Sequence, residues 1–521
     1  MKPAPTCQAV RSRVVVATAG LLRCVVLVFL ATSYAGGATP AERRPPNVVL
    51  FLMDDMGWRD VGFMGNTFVA SPRLDRLAER GVVFTQAYAS APNCAPTRAC
   101  LLSGQWTPRH GVYTVVDPRQ PRGSAWHKLL AAESNSDMPT EVITIPEALV
   151  PRGYASSFLG MWNLGRGRRG PTTPEGQGFG HVIFPDSVGF AKDAYLDDQG
   201  RFLSDRLADE AIAFIEKERA RPFFVYFADH AVHAPLDPRP DTLARWRDRP
   251  APRDEPRADA ALAATVEDLD AAIGRVLDAL ERLGLADDTV VIFTSDNGGT
   301  REYVAPLRGG KGQLYEGGIR VPLVIAGPGI RGGRRIDTPV SSIDIYPTLL
   351  DIAGASPPPG HELDGRSLVP LLAGGTLPPR TLFWHFPCYV GSSSPASAIR
   401  DGKLKLIEFF EDGGRRELYD LDADPGETHD LAREQPREAA TLAAALLQWQ
   451  QRTRAAIPRA ANPAFDPAAG RARGGARGAA GEPRGQGRGP RGRDGAAGGR
   501  GDRRPPTGPP GRGPEQRPTP R

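Results

Sequence analysis

Cysteine is scarce in this 521-residue chain. It has five cysteines, and two of them, Cys7 and Cys24, lie within the first 38 residues. Folds that depend on disulfides carry far more cysteine per residue. The chain is therefore not a disulfide scaffold, and it is long enough to bury large hydrophobic cores and to form more than one domain.

Long apolar runs are missing after residue 38. No later stretch approaches the roughly 20 apolar residues of a membrane span, so we expect no transmembrane segment there. Residues 1–38 have the pattern of a signal peptide, because basic residues precede two apolar stretches and Ser33–Ala35 offers a cleavage site. This pattern predicts an exported protein, periplasmic or secreted. Arg23 interrupts the apolar stretch, which leaves an uncleaved anchor as the alternative.

Positive charge is confined to the two ends of the chain. The whole chain carries +5, residues 1–46 carry +5 and residues 461–521 carry +8, so residues 47–460 carry −8. An acidic body gives no reason to expect nucleic-acid binding. Residues 461–521 are rich in Gly, Arg, Pro and Ala and poor in apolar side chains, which predicts a disordered tail.

Short apolar runs alternate with helical patterns through the body of the chain. The runs end at polar residues or glycine, as do strands buried on both faces of a parallel sheet. The runs are 47–53, 223–228, 290–294 and 321–326, and the helical patterns are 204–215, 266–284 and 344–353. This alternation predicts an α/β catalytic domain over residues 45–374, with a large mixed, mostly parallel sheet flanked by helices.

The pattern changes after about residue 375. Residues 398–407 and 416–421 are typical of short antiparallel strands around glycine turns, and residues 437–453 are typical of a helix. We expect a small C-terminal α+β subdomain, an antiparallel sheet plus a helix, over residues 375–460.

Paired polar side chains follow two of the predicted strands. Asp54-Asp55 follows the first strand, and Asp296-Asn297 follows 290–294. Ligands of doubly wound sheets bind at the carboxyl ends of the strands, and adjacent carboxylates are costly unless a cation offsets their repulsion. Four hard oxygen donors at one sheet edge favour Ca²⁺ or Mg²⁺ over Zn²⁺. Either pair alone is equally typical of a turn or a helix cap.

Cys94 stands at a predicted helix start, followed by Pro96 and Arg98. Proline suits the first turn, where its missing N–H is not needed, and free backbone N–H groups together with Arg98 favour an anion there. Taken alone, the segment also fits a buried structural cysteine. The pattern Cys94-x-Pro96-x-Arg98 with Leu101-x-Ser103-Gly104 closely resembles the signature of type I sulfatases.

The resemblance to type I, formylglycine-dependent sulfatases covers most of residues 47–430. The matching segments, in order, are 47–58, 94–104, 295–299, 309–322 and 417–421. The likeness implies an arylsulfatase-like sulfuric ester hydrolase with the alkaline phosphatase superfamily fold. Its implied substrate is a small-molecule or glycan sulfate ester, and carbohydrate sulfates are our first expectation.

The resemblance also implies a cofactor and a modified residue. A formylglycine-generating or anaerobic maturation enzyme would oxidise Cys94 to formylglycine, whose hydrate carries one hydroxyl for attack on sulfur and a second for sulfate release. Calcium is the implied ion, with Mg²⁺ less favoured. Its implied ligands are Asp54, Asp55, Asp296, Asn297 and an oxygen of modified Cys94.

Three further residues match motif positions with catalytic roles. By the resemblance, Arg98 steadies the formylglycine, Lys311 contacts the sulfate and the leaving oxygen, and His233 lies beside the leaving group. His230 is the alternative to His233. Lys311 or His233 would protonate the departing alcohol.

One segment departs from the family pattern. Most relatives carry Gly-Lys-Trp-His-x-Gly, whereas residues 160–165 are Gly-Met-Trp-Asn-Leu-Gly. Met161 replaces the lysine that holds sulfate. Asn163 replaces a histidine, and it can bind substrate by hydrogen bonds but cannot act as a base. Three arginines that follow, at 166, 168 and 169, either restore positive charge or form a solvated loop.

Other assignments stay open. His385, in a segment that resembles a pocket-lining region of relatives, is a candidate substrate contact, but core packing is the favoured role. An inactive, sulfatase-like protein that binds sulfated glycans would keep the same residues. A phosphoester or phosphonate hydrolase could use the same geometry for another tetrahedral oxyanion.

Overall fold

The computed structural model describes residues 44–115, 123–165, 167, 169–252, 258–300, 304–391, 393–411 and 413–469. The predicted signal peptide, residues 1–38, lies outside this part, as do residues 470–521 of the predicted tail, Arg166 and Arg168. In the described residues, no helix combines the length and the hydropathy that a bilayer crossing requires.

Strands and helices alternate through most of the chain. The strands are β1 Asn47–Met53, β2 Val82–Phe84, β3 Ala87–Tyr88, β4 Ala155–Gly160, β5 His181–Ile183, β6 Phe223–Ala228, β7 Thr289–Ser295, β8 Arg320–Val321, β9 Leu323–Ala326, β10 Arg334–Ile336, β11 Val340–Ser341, β12 Thr381–Phe386, β13 Ala396–Asp401, β14 Leu404–Phe409 and β15 Arg415–Asp420. The helices are α1 Pro72–Arg80, α2 Cys94–Ser103, α3 Thr107–His110, α4 Ile145–Leu149, α5 Leu203–Glu218, α6 Pro240–Arg247, α7 Ala260–Arg282, α8 Glu316–Ile319, α9 Ile345–Ala353, α10 Val369–Leu372 and α11 Pro436–Thr453.

The large sheet has the strand order β10-β2-β9-β7-β1-β6-β4-β5. Strands β7, β1, β6, β4 and β5 are parallel, and β9 is antiparallel to both β7 and β2. This confirms the predicted mixed, mostly parallel sheet flanked by helices. The short strands β11, β3 and β8 form a separate sheet.

Strand β1 lies in the middle of the large sheet and is buried along its whole length. Val49, Phe51 and Met53 pack into one hydrophobic core with residues of α1, α5 and α7. Val48, Leu50 and Leu52 pack into a second core with residues of α2, α4 and α9. The strand is apolar at every position from Val48 to Met53 because helices cover both faces of the sheet.

The predicted strand 321–326 is wrong in one respect. The structure divides it at Pro322: Arg320–Val321 pairs with β3 in the small sheet, and Leu323–Ala326 pairs with β7 and β2 in the large one. Proline has no backbone N–H to donate to a ladder, so it ends the pairing on one side and lets the chain change sheets.

The C-terminal region contains an antiparallel sheet in the order β12-β13-β14-β15. Helix α11 packs against β13 and β14 around a third hydrophobic core. The predicted antiparallel sheet plus helix is thus confirmed, and β12 is an additional strand. Cys100 and Cys388 are both buried, and no disulfide joins them to each other.

Residues 123–130 and 460–469 belong to a second compact unit. Within it, the Asn462 Nδ2 donates to the carbonyl oxygens of Ser124 and His127, at 2.9 Å each. These two bonds join residue 462, at the start of the tail predicted from residue 461, to residues 124 and 127 of the same unit. The predicted domain boundaries stay predictions.

A buried ion cluster links the C-terminal sheet to the α8 segment. The Lys405 Nζ, on β14, lies 2.9 Å from a carboxylate oxygen of Glu316 and 2.9 Å from one of Glu427, and none of the three side chains is exposed. Ions removed from water in this way are tolerated only while they are paired.

We expect Lys405→Met to destabilise the fold by about 3–5 kcal/mol, because it removes the cation that two buried carboxylates share. Urea unfolding measures the loss. The matched control is Lys403→Met, since the Lys403 side chain is 57% exposed where it pairs with Asp420 and exposed pairs stabilise little. Equal losses in the two variants would contradict the assigned importance of the buried cluster.

Candidate active site

The carboxyl ends of four strands meet at one edge of the large sheet. Gly160 of β4 is level with Ala228 of β6, Ala228 with Leu52 of β1, and Met53 of β1 with Ser295 of β7. The residues that follow these ends are Met161, Asp229, Asp54 and Asp296. Strand register alone therefore brings Asp54 and Asp296 together, although 241 residues separate them.

Backbone hydrogen bonds fix this edge. The Asp296 N–H donates to the Met53 carbonyl at 3.0 Å, and the Asp54 N–H donates to the Ala231 carbonyl at 3.0 Å. Asp55 then turns into the left-handed region, with φ +62°, and its N–H donates to Asp296 Oδ1 at 3.3 Å. A left-handed aspartate is uncommon, and such strain concentrates at functional sites.

Helix α2 carries Cys94 to the same edge. The helix begins at Cys94, and every one of its residues is buried, which explains why its sequence has no polar face. The Cys94 Sγ donates to Asp54 Oδ1 at 3.2 Å. Cys94, which was singled out by its motif, therefore contacts Asp54, which was singled out because it follows a predicted strand.

Arg98, one turn further along α2, is fully buried and joins three strand ends. Its Nε and Nη2 donate to Asp296 Oδ2 at 2.9 and 2.7 Å, and Nη2 also donates to Asp54 Oδ2 at 3.2 Å. Its Nη1 donates to the Met161 carbonyl. Charge-assisted bonds of this kind are among the strongest in proteins, so Arg98 fixes both carboxylates relative to α2.

The buried charges perturb one another. Burial, with Asp296 and Asp54 nearby, raises the pKa of the Cys94 thiol well above its usual range. Burial would also raise the pKa of Asp54, but Arg98 and Lys311 outweigh it and the pKa is lowered. Burial and the charge of Asp54 raise the pKa of Asp296 to about 7. The thiol therefore stays protonated and Asp54 stays ionised at neutral pH.

Lys311 and His233 lie on the more open side of the cluster. The Lys311 Nζ is 2.7 Å from Asp55 Oδ1, and the His233 Nε2 is 3.6 Å from Asp55 Oδ2. Their side chains are 19% and 34% exposed, against 3% for Asp55. Both side chains are thus partly open to solvent at the otherwise buried cluster.

Glycine makes the approach of the Lys311 segment possible. The Lys311 N–H donates to the Gly299 carbonyl at 3.0 Å, and the Gly298 N–H donates to the Gly318 carbonyl at 3.0 Å. A Cβ atom on Gly298 would lie 2.1 Å from the Gly317 carbonyl oxygen. Any other residue at position 298 would therefore push this segment away from the end of β7.

The cluster has the composition of a cation site. Ligand atoms of Asp54, Asp55, Cys94 and Asp296 lie within 4.8 Å of one another, and all four residues are buried. The Asn297 Nδ2 donates to Asp55 Oδ1 at 2.8 Å. The Oδ1 of Asn297 itself is buried and has no hydrogen-bond partner. Three carboxylates face two cations, Arg98 and Lys311. An unpaired hard oxygen and excess negative charge fit a divalent cation such as Ca²⁺.

The two unusual residues after β4 lie at the same edge. Met161 touches the cluster through its backbone carbonyl, which accepts from Arg98. Asn163, two residues on, is partly exposed with φ +57°, a conformation that asparagine adopts more readily than most residues. Its substrate-binding role stays a prediction.

The candidate substrate contact at His385 does not fit the structure. The side chain is buried in β12, with Nδ1 2.7 Å from Ser397 Oγ and Nε2 3.2 Å from the Ala456 carbonyl. Burial lowers its pKa to about 3. Both ring nitrogens already have protein partners, so His385 belongs to the core of the C-terminal sheet, the role that the sequence favoured.

Two contributors to the site were missed by sequence reasoning. Arg98 bonds the backbone carbonyl of Met161. Every residue has such a carbonyl, so the residue type at position 161 could not predict this contact. Tyr195 donates its hydroxyl to the His233 carbonyl at 2.6 Å, but it stands in no recognisable motif. Only the fold brings it to residues 230–233.

The fold and the site together define a class: an α/β protein with a cysteine, an arginine and a buried acidic cluster at the strand ends. The family model "Sulfatase" matches residues 46–355, and the model "N-sulphoglucosamine sulphohydrolase, C-terminal" matches residues 310–454. The chain therefore belongs to the sulfatase family, a family of hydrolases, and is an enzyme of that family.

Individual relatives agree with this assignment. The chain is 33% identical over 478 residues to a sulfatase of Formosa agariphila, covering 76% of this chain and 86% of that protein. It is 32% identical over 452 residues to human arylsulfatase A, and the match covers 75% of this chain and 84% of that protein. The crystal structure of Ps i-CgsB matches with a TM-score of 0.65 at 26% identity, and the match covers 78% of this chain and 93% of that chain.

We expect Arg98→Lys to lower the free energy of unfolding by about 2–4 kcal/mol, because lysine cannot reproduce the forked bonds to two buried carboxylates. Urea unfolding measures this free energy. Arg109→Lys is the matched control, since Arg109 also bonds two acidic residues, Glu362 and Asp364, but at a partly exposed position. A loss no larger than that of the control would contradict the organising role of Arg98.

Proposed function

We propose that this enzyme hydrolyses sulfate esters with a formylglycine made from Cys94 and a bound calcium ion. The observation that carries the proposal is the contact between Cys94 and Asp54 inside a buried cluster completed by Arg98, Asp55 and Asp296. Membership of the sulfatase family supports the reaction class.

The state of the Cys94 thiol supports its conversion. A thiol, unlike a thiolate, is a poor nucleophile, and its surroundings raise the pKa of Cys94 well above the usual range through burial and the neighbouring Asp296 and Asp54. An unmodified Cys94 is thus badly suited to attack. The hydrated aldehyde would supply one hydroxyl for attack on sulfur and a second for sulfate release, and neither role needs a thiolate.

Calcium is proposed from the donor set. Asp54, Asp55, Asp296 and Asn297 would hold the ion together with an oxygen of modified Cys94. Carboxylate and amide oxygens are the ligands calcium prefers, and Mg²⁺ is the less favoured choice. The ion would offset the surplus carboxylate charge and acidify the attacking hydroxyl.

The remaining residues would bind and orient the substrate. Arg98 would hold residue 94 in place through the same bonds that fix Asp54 and Asp296. The Lys311 Nζ would bind a sulfate oxygen, and either Lys311 Nζ or His233 Nε2 would give a proton to the departing alcohol oxygen. The partial exposure of both side chains supports roles on the substrate side.

A carbohydrate sulfate is the proposed substrate class. The relative Ps i-CgsB has been solved in complex with k-i-k-neocarrahexaose, which supports a sugar ligand for this fold. We propose that the protein is exported and that a formylglycine-generating or anaerobic maturation enzyme is its modifying partner.

Mass spectrometry of the Cys94 peptide tests the proposal. We expect an aldehyde in place of the thiol when the protein is produced with a maturation enzyme, and sulfate release from an aryl sulfate that is lost in Cys94→Ala. Cys100→Ala is the matched control, because Cys100 is buried in the same helix but lies outside the cation cluster. It should retain activity. Chelation should stop the release, and calcium should restore it better than magnesium.

Other outcomes separate the alternatives. Unmodified Cys94, in a host that modifies a control sulfatase, would contradict the formylglycine mechanism. Modified protein that binds sulfated glycans and releases no sulfate would indicate an inactive binding protein. Faster release of phosphate than of sulfate from matched aryl esters would indicate a phosphoester or phosphonate hydrolase.

The Met161/Asn163 departure has a direct test. Met161→Lys with Asn163→His is expected to raise kcat/KM on a simple aryl sulfate by tens- to several-hundredfold, because one charge-assisted sulfate contact contributes about 2–4 kcal/mol. The uncharged variant Met161→Gln is the control and should give no comparable gain. No gain, or a loss, in the double variant would mean that Met161 and Asn163 are adapted to the natural substrate.

A further inference from the structure

The side chain of His233 is not fixed by any hydrogen bond of its own. Among the residues that the structure describes, none bonds its buried Nδ1, and its Nε2 lies 3.6 Å from Asp55 Oδ2, beyond the range of a hydrogen bond. Its ring stacks on that of His230, with centroids 5.1 Å apart. The position of the imidazole therefore depends on where the backbone places residue 233.

Backbone hydrogen bonds hold the turn before His233 against the end of β1. The Asp54 N–H donates to the Ala231 carbonyl at 3.0 Å, and the Val232 N–H donates to the Asp54 carbonyl at 2.8 Å. The His233 N–H donates to the His230 carbonyl at 2.9 Å. These bonds fix the chain up to the amide of residue 233.

The chain that follows His233 has few backbone bonds. Residues 234–238 are Ala-Pro-Leu-Asp-Pro, and three of the five are exposed. Proline has no N–H to donate. In the described part of the chain, the next backbone N–H with a hydrogen-bond partner is that of Arg239, which donates to Asp268. A contact at residue 233 itself is therefore needed to hold its carbonyl end.

Tyr195 supplies that contact. Its hydroxyl donates to the His233 carbonyl at 2.6 Å, and no other described residue donates to this carbonyl. Tyr195 is 2% exposed, and its ring packs on Phe202 and His230, with centroid distances of 5.9 and 5.0 Å. Its own carbonyl accepts from the Leu203 N–H at the start of α5, at 2.8 Å. Tyr195 thus connects His233 to a long helix of the hydrophobic core.

We propose that Tyr195 is a positioning residue for His233. Its hydroxyl holds the backbone of residue 233, so that the imidazole stays beside Asp55 on the partly exposed side of the site. A phenylalanine ring would pack on Phe202 and His230 equally well, so the hydroxyl is the group that acts on His233. Tyr195 is too buried to touch a substrate. This inference rests on the proposed function, in which His233 lies beside the leaving group.

The variant Tyr195→Phe removes the hydroxyl and keeps the ring. A small misplacement at the reacting centre can cost up to about 10²-fold in rate, and we expect kcat to fall about 10-fold on an alkyl sulfate. The kcat on 4-nitrophenyl sulfate should fall less than about threefold, because its better leaving group depends less on a well-placed neighbour. The KM of both substrates should change less than about twofold, because Tyr195 makes no contact with bound substrate.

Tyr154→Phe is the matched control. Tyr154 is likewise buried, and its hydroxyl also donates to a backbone carbonyl at 2.6 Å, that of Pro46. Pro46 precedes β1, so this bond lies at the opposite end of the strand from Asp54. Each variant loses one hydrogen bond, so both melting temperatures should fall by a similar amount, about 1–3 °C. Tyr154→Phe should leave the ratio of the two kcat values unchanged.

The comparison can overturn the proposal. Equal kcat losses on both substrates in Tyr195→Phe, or a lower melting temperature with unchanged kcat, would assign Tyr195 a purely structural role. A raised KM with unchanged kcat would assign it to substrate binding and would contradict the proposal as well.

Hydrogen–deuterium exchange of a peptide that contains residues 230–236 does not depend on sulfatase activity. Because the Val232 and His233 amides are hydrogen-bonded in the turn, we expect them to exchange about three- to tenfold faster in Tyr195→Phe and at the wild-type rate in Tyr154→Phe. Unchanged exchange in Tyr195→Phe would overturn the proposal even if sulfate is released. A wild type that releases no sulfate, with exchange that still responds to Tyr195→Phe, would contradict the proposed function and leave the contact with His233 in place.

Discussion

The forked contact of Arg98 with Asp54 and Asp296 is the interaction on which the site depends. Each carboxylate follows a different buried strand, and neither could remain ionised there without a cation. Since Arg98 and Cys94 share helix α2, the bonds that stabilise the carboxylates also place the cysteine against Asp54. Charge compensation and positioning of the reactive residue are therefore achieved by one helix and cannot be varied independently.

In two central strands of the large sheet, the strand residues form the hydrophobic cores and the residues just after the strand form the candidate site. In β1, the six residues from Val48 to Met53 are buried in two hydrophobic cores, and the next two are carboxylates of the acidic cluster. The same division holds for β7, which ends at Ser295 before Asp296 and Asn297. Lys311 and His233 come from loops, so they can approach a substrate while Asp55 stays buried beneath them.

Much of this arrangement could be predicted from the sequence because strand ends and motifs are local signals. The position of Asp54 and Asp296 at one edge follows from apolar runs that stop at acidic residues. The change of sheet at Pro322 could not be predicted, since it depends on which distant segments pack nearby.

The complete burial of α2 has a consequence for how the protein is made. Cys94 is 4% exposed and its helix is covered on all sides, so another enzyme cannot grip this segment once the fold has closed. Any enzymatic oxidation of Cys94 must therefore act on the nascent or unfolded chain. If Cys94 is modified as proposed, modification would have to precede folding, and a chain that folds too quickly would keep the unmodified thiol buried.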